Sequence, residues 1–186
     1  MTATAQQSTI PAGSYTVDAS HSHIGFVARH AMVTKVRGSF NEFTATASFD
    51  PSDPSAAKAE VSVQVASIDT RGEQRDGHLR SSDFFDVEVY PTLSFVSTQV
   101  ERDGEALRVT GDLTIKNTTK PVTIDFAYTG SATDPFGNER VGFEGSVVVN
   151  RKEWDLTWNA ALETGGVLVS DKVTLEFDLS AIRDAA

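Results

Sequence analysis

The amino-acid sequence predicts an all-β protein whose strands pair antiparallel in a barrel or a sandwich. Three observations lead to this fold class. Apolar side chains alternate with other residues in eight separate segments, turn-forming residues separate these segments, and few long crossovers join them. Side chains two residues apart lie on the same face of a strand, so this alternation is typical of half-buried strands. Strands that follow one another at hairpin spacing favour antiparallel pairing.

The eight alternating segments follow one another along the whole chain. In the N-terminal half their apolar residues are Ile24, Phe26 and Ala28; Phe43, Ala45, Ala47 and Phe49; Val61, Val63 and Val65; and Leu93 and Phe95. In the C-terminal half they are Leu107, Val109, Leu113 and Ile115; Val122, Ile124, Phe126 and Tyr128; Val141, Phe143, Val147 and Val149; and Val173, Leu175, Phe177 and Leu179. Turn-forming residues stand between them at positions 50–54, 103–104, 117–121 and 134–138.

Two segments without the alternation predict short helices. Residues 72–86 are mostly polar and predict one of them. Residues 154–163 predict the second, because Trp154, Trp158 and Ala161 recur on about one helical face. The predicted fold is therefore all-β with one or two short helices.

No linker, repeat or low-complexity tract divides the chain, so residues 15–186 are expected to form a single domain. Residues 1–14 are rich in Thr, Ala, Gln and Ser and have neither a basic start nor an apolar stretch. This composition predicts a short flexible leader, not a secretory signal. A cytoplasmic location is the expectation that follows.

Charge and composition exclude several function classes. Sixteen basic and 26 acidic residues give a formal net charge of −10, which repels a phosphate backbone and excludes nucleic acid as a partner. The same charge disfavours an anionic membrane surface. No run of about eighteen apolar residues is present, so the chain is not expected to span a membrane. Without cysteine it has neither a disulfide nor a thiolate nucleophile.

Several motifs together resemble the YceI family of lipocalin-like isoprenoid-binding proteins. The resemblance extends over about residues 15–179, which is nearly the whole chain. The motifs are YTVDASHSHIGF at 15–26, GSFNEF at 38–43, SIDTR at 67–71, RDGHLRSSDFFD at 75–86, Tyr90-Pro91, Phe95, GDLTI at 111–115 and Asn150-Arg151. Because the motifs are spread over nearly the full length of the chain, a chance local match does not explain them.

The resemblance implies an extended eight-stranded antiparallel barrel that is frequently a homodimer. It also implies a polyisoprenoid chain or an isoprenoid quinone in the lumen. A barrel of eight strands either fills with side chains or holds one slender ligand. Small inward residues make room for such a ligand, and the candidates are Ala28, Ala45, Ala47, Gly111 and Gly145. A dry interior filled by its own side chains is the alternative.

Twelve residues are predicted to bind the ligand. Apolar wall positions and a charged segment at the barrel mouth supply them: Phe26, Ala28, Phe43, Arg71, Arg75, His78, Leu79, Phe84, Phe85, Phe95, Phe126 and Phe143. In this hypothesis Arg71, Arg75 or His78 donates hydrogen bonds to a quinone carbonyl or a pyrophosphate. Alternatively, charged pairs in this segment hold the helix on a strand end, and its phenylalanines fill the core.

Three histidines form a second group of interest. His21 and His23 are two apart on a predicted strand and can share one face, whereas His30 has the opposite parity to His23. A His-x-His pair lacks the closed ligand set that zinc prefers, so no metal site is predicted. The alternative is that one of these histidines forms a hydrogen bond inside the barrel end.

The leading functional hypothesis is a non-catalytic carrier or store for a polyisoprenoid lipid, with no cofactor other than that ligand. No nucleophile motif, P-loop or dinucleotide motif argues for an enzyme. Two rivals remain open. One is an enzyme acting on a small hydrophobic molecule, which requires a pair of buried ionisable groups facing the lumen. The other is a stress-related scavenger that binds many amphipathic compounds, antibiotics included.

Overall fold

The strands of the protein form one continuous antiparallel sheet. A computed structural model describes residues 9–186. Its strands are β1 Gly13–Val17, β2 His23–His30, β3 Thr34–Phe40, β4 Phe43–Phe49, β5 Lys58–Gln64, β6 Ile68–Asp69, β7 Thr92–Asp103, β8 Ala106–Ile115, β9 Thr118–Thr133, β10 Glu139–Asn150 and β11 Lys172–Arg183. The helix α1 spans Glu73–Arg80, and short 3₁₀ turns lie at Ala19–His21, Pro54–Ala56, Val65–Ser67 and Arg151–Trp154.

Eight of these strands close into a ring. Their order is β1-β4-β5-β7-β8-β9-β10-β11, and the ring closes where β1 pairs with β11. The closing pairs run antiparallel from Tyr15 opposite Arg183 to Val17 opposite Ala181. A closed ring leaves no strand edge unpaired around its girth. The prediction of an eight-stranded antiparallel barrel is confirmed.

The remaining strands lengthen the barrel on one side. β2 follows β1 after a one-turn break and pairs with the Thr174–Asp178 part of β11. β3 continues β4 in the same way, since β3 pairs with β2 and β4 pairs with β1. β6 continues β5 and pairs with β3 at Ser39 and Phe40. Each of the first three long strands is therefore two segments separated by a short break.

Glycines let large aromatic rings lie flat across neighbouring strands. A Cβ atom on Gly111 would collide with the ring of Phe95, and one on Gly145 would collide with the ring of Phe126. A glycine in a strand often marks such a close approach. These two glycines thus make room for wall rings, whereas the sequence predicted that they open the lumen directly.

The helix predictions had different outcomes. The helix predicted in residues 72–86 is α1. The helix predicted over residues 154–163 is wrong, because the chain leaves its 3₁₀ turn at Asp155, which adopts the left-handed conformation with φ 59°. The carbonyl groups of Leu156 and Trp158 then accept hydrogen bonds from the Arg151 side chain. Carbonyls held in this way do not continue a helix.

Trp154 anchors the end of this turn in the barrel wall. Its side chain is 2% exposed, and its indole N–H donates to the carbonyl oxygen of Leu113 at 2.9 Å. We expect Trp154→Phe to lower the free energy of unfolding by about 1–2 kcal/mol, because the donor is lost while most of the apolar contact stays. Urea denaturation measures this change. Trp158→Phe, at a partly buried ring, is the control and should have a smaller effect.

The barrel begins earlier than the predicted domain boundary at residue 15. β1 starts at Gly13, and Ile10 is buried against Tyr15 and Phe49. Residues 1–8, which form most of the predicted leader, lie outside the described residues. Across residues 9–186, no helix is both long enough and apolar enough to cross a membrane. The homodimer stays a prediction.

Candidate functional site

The barrel encloses a cavity of about 300 Å³. Its wall includes side chains from all eight strands of the ring, together with Leu79 of α1. Inward-facing residues such as Leu175 and Phe177 line this space and are only partly buried. Small-molecule sites typically have volumes of about 300–1,000 Å³, so the cavity is of useful size. The interior is not filled by its own side chains.

The wall of the cavity is almost wholly apolar. Lys58 and Arg151 are its charged members, and among residues 9–186 no carboxylate or imidazole belongs to it. The hydroxyl of Tyr15 is already engaged, since it donates to the carbonyl oxygen of Pro11 at 2.6 Å. A general acid–base pair needs two ionisable groups in contrasting environments. The described wall offers no such pair.

The structure brings most of the predicted ligand residues together. Eight of the twelve contribute to the wall: Phe26, Ala28, Leu79, Phe84, Phe85, Phe95, Phe126 and Phe143. Phe43 packs instead in the neighbouring cluster around Val63 and Ile68. Arg71, Arg75 and His78 also lie outside the wall.

The charged segment around α1 is held by its own contacts. Arg75 donates from Nε to Oγ1 of Thr70 and from Nη2 to the Thr70 carbonyl, both at 2.7 Å. The buried carboxylate of Asp76 accepts from the backbone N–H of Thr70 at 2.9 Å. His78 Nε2 lies 2.8 Å from Oδ2 of Asp83. Arg75 and His78 therefore fix the helix on the end of β6 and on the following loop, which matches the structural alternative.

Arg151 is the buried cation of the wall, whereas Lys58 is exposed. Its side chain is only 5% exposed and donates to the carbonyl oxygens of Ser170 at 2.9 Å, Leu156 at 2.5 Å and Trp158 at 2.9 Å. Burial lowers the pKa of its guanidinium, and the nearby Asp171 carboxylate, 3.9 Å away, opposes this shift. Arg151 belongs to the Asn150-Arg151 motif, but the sequence alone does not reveal its carbonyl partners.

Aromatic rings connect residues 155–170 to α1 and the loop after it. These two segments close the same end of the cavity. The ring of Trp158 lies 4.5 Å from that of His78 and 5.4 Å from that of Phe84. His78 and Phe84 are themselves 5.1 Å apart in an edge-to-face arrangement. Such contacts are favourable beyond the area they bury. The segment of residues 155–170, which we call the closing segment, is thus attached to α1.

The sequence of this chain matches a known protein family. The YceI-like domain family matches residues 15–181. The chain belongs to the YceI-like family. Among curated relatives, a UPF0312 protein of Pectobacterium atrosepticum is 39% identical over 140 residues, which is 75% of this chain and 73% of that protein. Protein YceI of Escherichia coli O157:H7 is 37% identical over 147 residues, 78% of this chain and 77% of its own length.

Solved structures show the same barrel. Burkholderia cenocepacia BcnA superposes with a TM-score of 0.77 at 27% identity, covering 88% of this chain and 98% of that one. A YceI protein of Campylobacter jejuni gives a TM-score of 0.71 at 29% identity over 84% and 90% of the two chains. A polyisoprenoid-binding domain from Saccharophagus degradans gives 0.68 at 14% identity over 91% and 98%, a likeness of fold alone.

Outside the cavity of this YceI-like protein, a polar cluster surrounds Asp18. His21 lies in a 3₁₀ turn and not on the predicted strand with His23. Its Nδ1 contacts both the Asp18 carboxylate, at 2.8 Å, and the Ser20 hydroxyl, at 3.0 Å. In a serine hydrolase the carboxylate and the hydroxyl contact different ring nitrogens, so this cluster is not a catalytic triad. Arg140 completes it at 2.9 Å from Asp18.

The Asp18 cluster predicts a pH-dependent contribution to stability. Hydrogen bonds from Ser20, Arg140 and His21 hold the pKa of the Asp18 carboxyl well below its usual range. A folded pKa below the unfolded value stabilises the protein above the unfolded pKa of about 3.9, and this contribution is lost as the pH falls below it. We expect Asp18→Asn to be less stable than the parent at pH 7, with a difference that shrinks below about pH 4.

Urea unfolding at pH 7 and at pH 3 measures the Asp18 contribution. Asp112→Asn, at an exposed aspartate on β8, is the control and should change little at either pH. An equal loss of stability at both pH values would mean that the Asp18 carboxylate is not the group responsible.

Proposed function

We propose that this YceI-like protein binds the polyisoprenoid chain of a lipid, such as an isoprenoid quinone or a polyprenyl phosphate, and carries or stores it unchanged. The observation that carries the proposal is the apolar cavity of about 300 Å³ without an acid–base pair on its described wall. A polyisoprenoid is slender and apolar, and burial is worth about 0.8 kcal/mol for each methylene-sized group. Such a chain binds without any directional polar contact.

The size of the cavity limits the length of chain that it encloses. An apolar cavity of about 150 Å³ is large enough to bind benzene. By that measure, a cavity of 300 Å³ holds roughly twice as much hydrocarbon, which corresponds to two or three isoprene units. A longer chain must extend through an end of the barrel or displace wall side chains. We therefore propose that the cavity encloses one stretch of the polyisoprenoid chain and that the head group stays near an end of the barrel.

The proposal also concerns which polar side chains are available to the lipid head group. Arg75 and His78 are bonded elsewhere, and the three short hydrogen bonds of Arg151 go to backbone carbonyls. The site therefore selects by shape and hydrophobicity more than by head-group chemistry. The shared fold of the polyisoprenoid-binding domain from Saccharophagus degradans is compatible with this assignment.

Native mass spectrometry tests the proposal directly. The protein is analysed as purified and after incubation with geranylgeraniol, with a longer polyprenol and with an isoprenoid quinone. We expect one bound polyisoprenoid for each chain. A chain that stays bare in every incubation would overturn the carrier function. Equal uptake of unrelated detergents and antibiotics would favour the scavenger, and conversion of a bound ligand into a new mass would favour the enzyme.

A further inference from the structure

The hairpin that joins β2 to β3 ends in an exposed apolar tip. Met32 is 63% exposed and Val33 is 74% exposed. Ala31 and Met32 adopt left-handed backbone conformations, with φ of 50° and 61°. Glycine, asparagine or aspartate relieves this strain in natural hairpins and avoids exposing apolar side chains. The residues at this tip are therefore unfavourable for the isolated fold.

Basic side chains surround the tip. Residues 29–37 contain Arg29, Lys35 and Arg37, together with His30, and no acidic residue. All four side chains are exposed. Arg37 lies 3.7 Å from Glu176, whereas Arg29 and Lys35 form no ion pair with any part of residues 9–186. A chain of net charge −10 thus presents a local cationic surface here.

The tip lies at the end of the cavity that the closing segment covers. The backbone N–H of Ala31 donates to the Leu168 carbonyl at 2.7 Å, and that of Ser170 donates to the Arg29 carbonyl at 3.1 Å. Between these bonds, Val169 belongs to the cavity wall, as does Ala28 on the strand that leads into the tip. Exposed apolar surface, positive charge and the cavity end therefore coincide.

We propose that residues 29–37, the basic tip, dock the protein on an anionic lipid bilayer. Met32 and Val33 enter the boundary between head groups and acyl chains, and the basic side chains contact lipid phosphates. Each basic residue near an anionic surface strengthens binding about fivefold. The proposal rests on the proposed function in one respect, since docking brings the cavity end to the source of an apolar ligand.

The overall negative charge does not prevent this contact. At physiological ionic strength the screening length is about 8 Å, so the bilayer senses mainly the charges close to the tip. Glu176 lies beside Arg37, but acidic residues farther from the tip than this length are largely screened. The total charge by itself disfavours an anionic membrane, but the local distribution of charge at the tip favours one.

Protection of a strand edge is another role for the cations. β3 is bonded to β6 only at Ser39 and Phe40, so its earlier residues form an open edge. Lysine and arginine on an open edge deter pairing with other chains. That role explains Lys35 and Arg37, but it does not explain apolar residues at the tip itself. Membrane docking explains both features.

Co-sedimentation of the ligand-free protein with lipid vesicles tests the proposal. The vesicles contain phosphatidylcholine alone or mixed with phosphatidylglycerol. We expect binding only to the mixed vesicles and weaker binding as salt is added. The double variant Arg29→Gln with Lys35→Gln should lose about 25-fold in affinity, two factors of about five. Met32→Ser with Val33→Ser should also release the protein, and both pairs are exposed enough to leave the fold intact.

Phe136→Ser is the matched control. Phe136 is 90% exposed but lies in the turn that precedes β10, at the opposite end of that strand from Arg151, and it follows Asp134 closely. Unchanged binding in this variant supports the assignment to the basic tip. Equal binding to both kinds of vesicle, or unchanged binding in both tip variants, overturns it.

A second measurement keeps this proposal separate from the carrier function. Geranylgeraniol binding without vesicles is followed by native mass spectrometry in the parent and in the tip variants. We expect the tip variants to bind it as the parent does. If the parent docks on mixed vesicles but never binds the alcohol, the carrier function fails and docking stands. If the parent binds the alcohol but ignores mixed vesicles, docking fails and the carrier function stands.

Discussion

Ala28→Phe combined with Ala47→Phe is expected to abolish polyisoprenoid binding and to leave the barrel folded. Ala28 lies on β2 and Ala47 on β4, and both contribute to the cavity wall. Two phenyl rings occupy most of the 300 Å³, given that about 150 Å³ accommodates benzene. Each single variant should bind at least about tenfold more weakly, since excluding two methylene-sized groups already costs about 1.6 kcal/mol.

The stability of these variants separates an empty lumen from a filled core. Adding a ring to a well-packed core costs about 1–3 kcal/mol. A ring that enters an empty apolar cavity meets no clash and gains contacts, so the free energy of unfolding should stay equal or rise. Fluorescent polyprenol titration and urea denaturation measure the two effects on the same samples.

Thr44→Phe provides the control for the lumen variants. Thr44 is on the same strand as Ala47 but is exposed on the outer face. The same ring placed there should change neither ligand affinity nor the uptake of a fluorescent polyprenol. If the double lumen variant still bound the ligand with unchanged affinity, the ligand site would have to lie outside the cavity.

Strand positions could be predicted because alternation is a local property of the sequence. Each of the eight alternating segments contributes to a strand of the extended barrel. The breaks within the long strands could not be predicted in the same way. The turn at Ala19–His21 depends on the Asp18 side chain, which caps it by accepting from the backbone N–H of Ser20. One capping side chain in a polar stretch has no distinct periodicity.

The incorrect prediction of a helix at residues 154–163 shows where the spacing of apolar residues is a poor guide to structure. Trp154 and Trp158 are four apart, as on a helical face. In the fold, Trp154 enters the barrel wall and bonds to Leu113, 41 residues away, whereas the ring of Trp158 packs edge-to-face against His78 of α1. Because their partners lie in different places, Trp154 and Trp158 do not share one helical face. Tertiary contacts of this kind override local spacing.

The apolar wall could be predicted, whereas its polar neighbours could not. Leu79, Phe84 and Phe85 reach the cavity as expected, yet Arg75 and His78, from the same segment, do not. Hydrophobic residues have one favourable direction, which is inward. A charged side chain goes wherever it finds partners, and for Arg75 that partner is Thr70, five residues earlier. Sequence alone does not reveal which partner is within reach.

Arg151→Ala is expected to destabilise the protein more than the loss of the Trp154 indole donor or of the Asp18 carboxylate. The side chain is buried and satisfies the carbonyl groups of Leu156, Trp158 and Ser170. Removing a charged donor costs about 1–3 kcal/mol for each buried acceptor left without a partner, and water recovers part of this. We expect the free energy of unfolding to fall by about 3–5 kcal/mol, a large share of the 5–15 kcal/mol typical of a domain.

The location of the stability loss in Arg151→Ala distinguishes the role of Arg151 from that of an ordinary core residue. Its bonds join the 3₁₀ turn after β10 to both ends of the closing segment. Hydrogen exchange of the backbone amides of Leu168, Val169 and Ser170 should therefore accelerate more than exchange in the barrel strands. A bound polyprenol should also dissociate faster, because the same segment covers the cavity end. Arg151→Lys keeps the charge but loses the planar fork and should be intermediate.

Arg108→Ala is the comparison that isolates the effect of burial. Arg108 bonds Asp125 at 2.8 Å on the outer surface, where both side chains are more than half exposed. Exposed pairs of this kind contribute little to stability, so this variant should unfold close to the parent. If Arg151→Ala also unfolded like the parent, with unchanged exchange at Leu168–Ser170, water alone would suffice for the buried carbonyls. The closing segment would then be held by the aromatic contacts of Trp158 and not by the guanidinium.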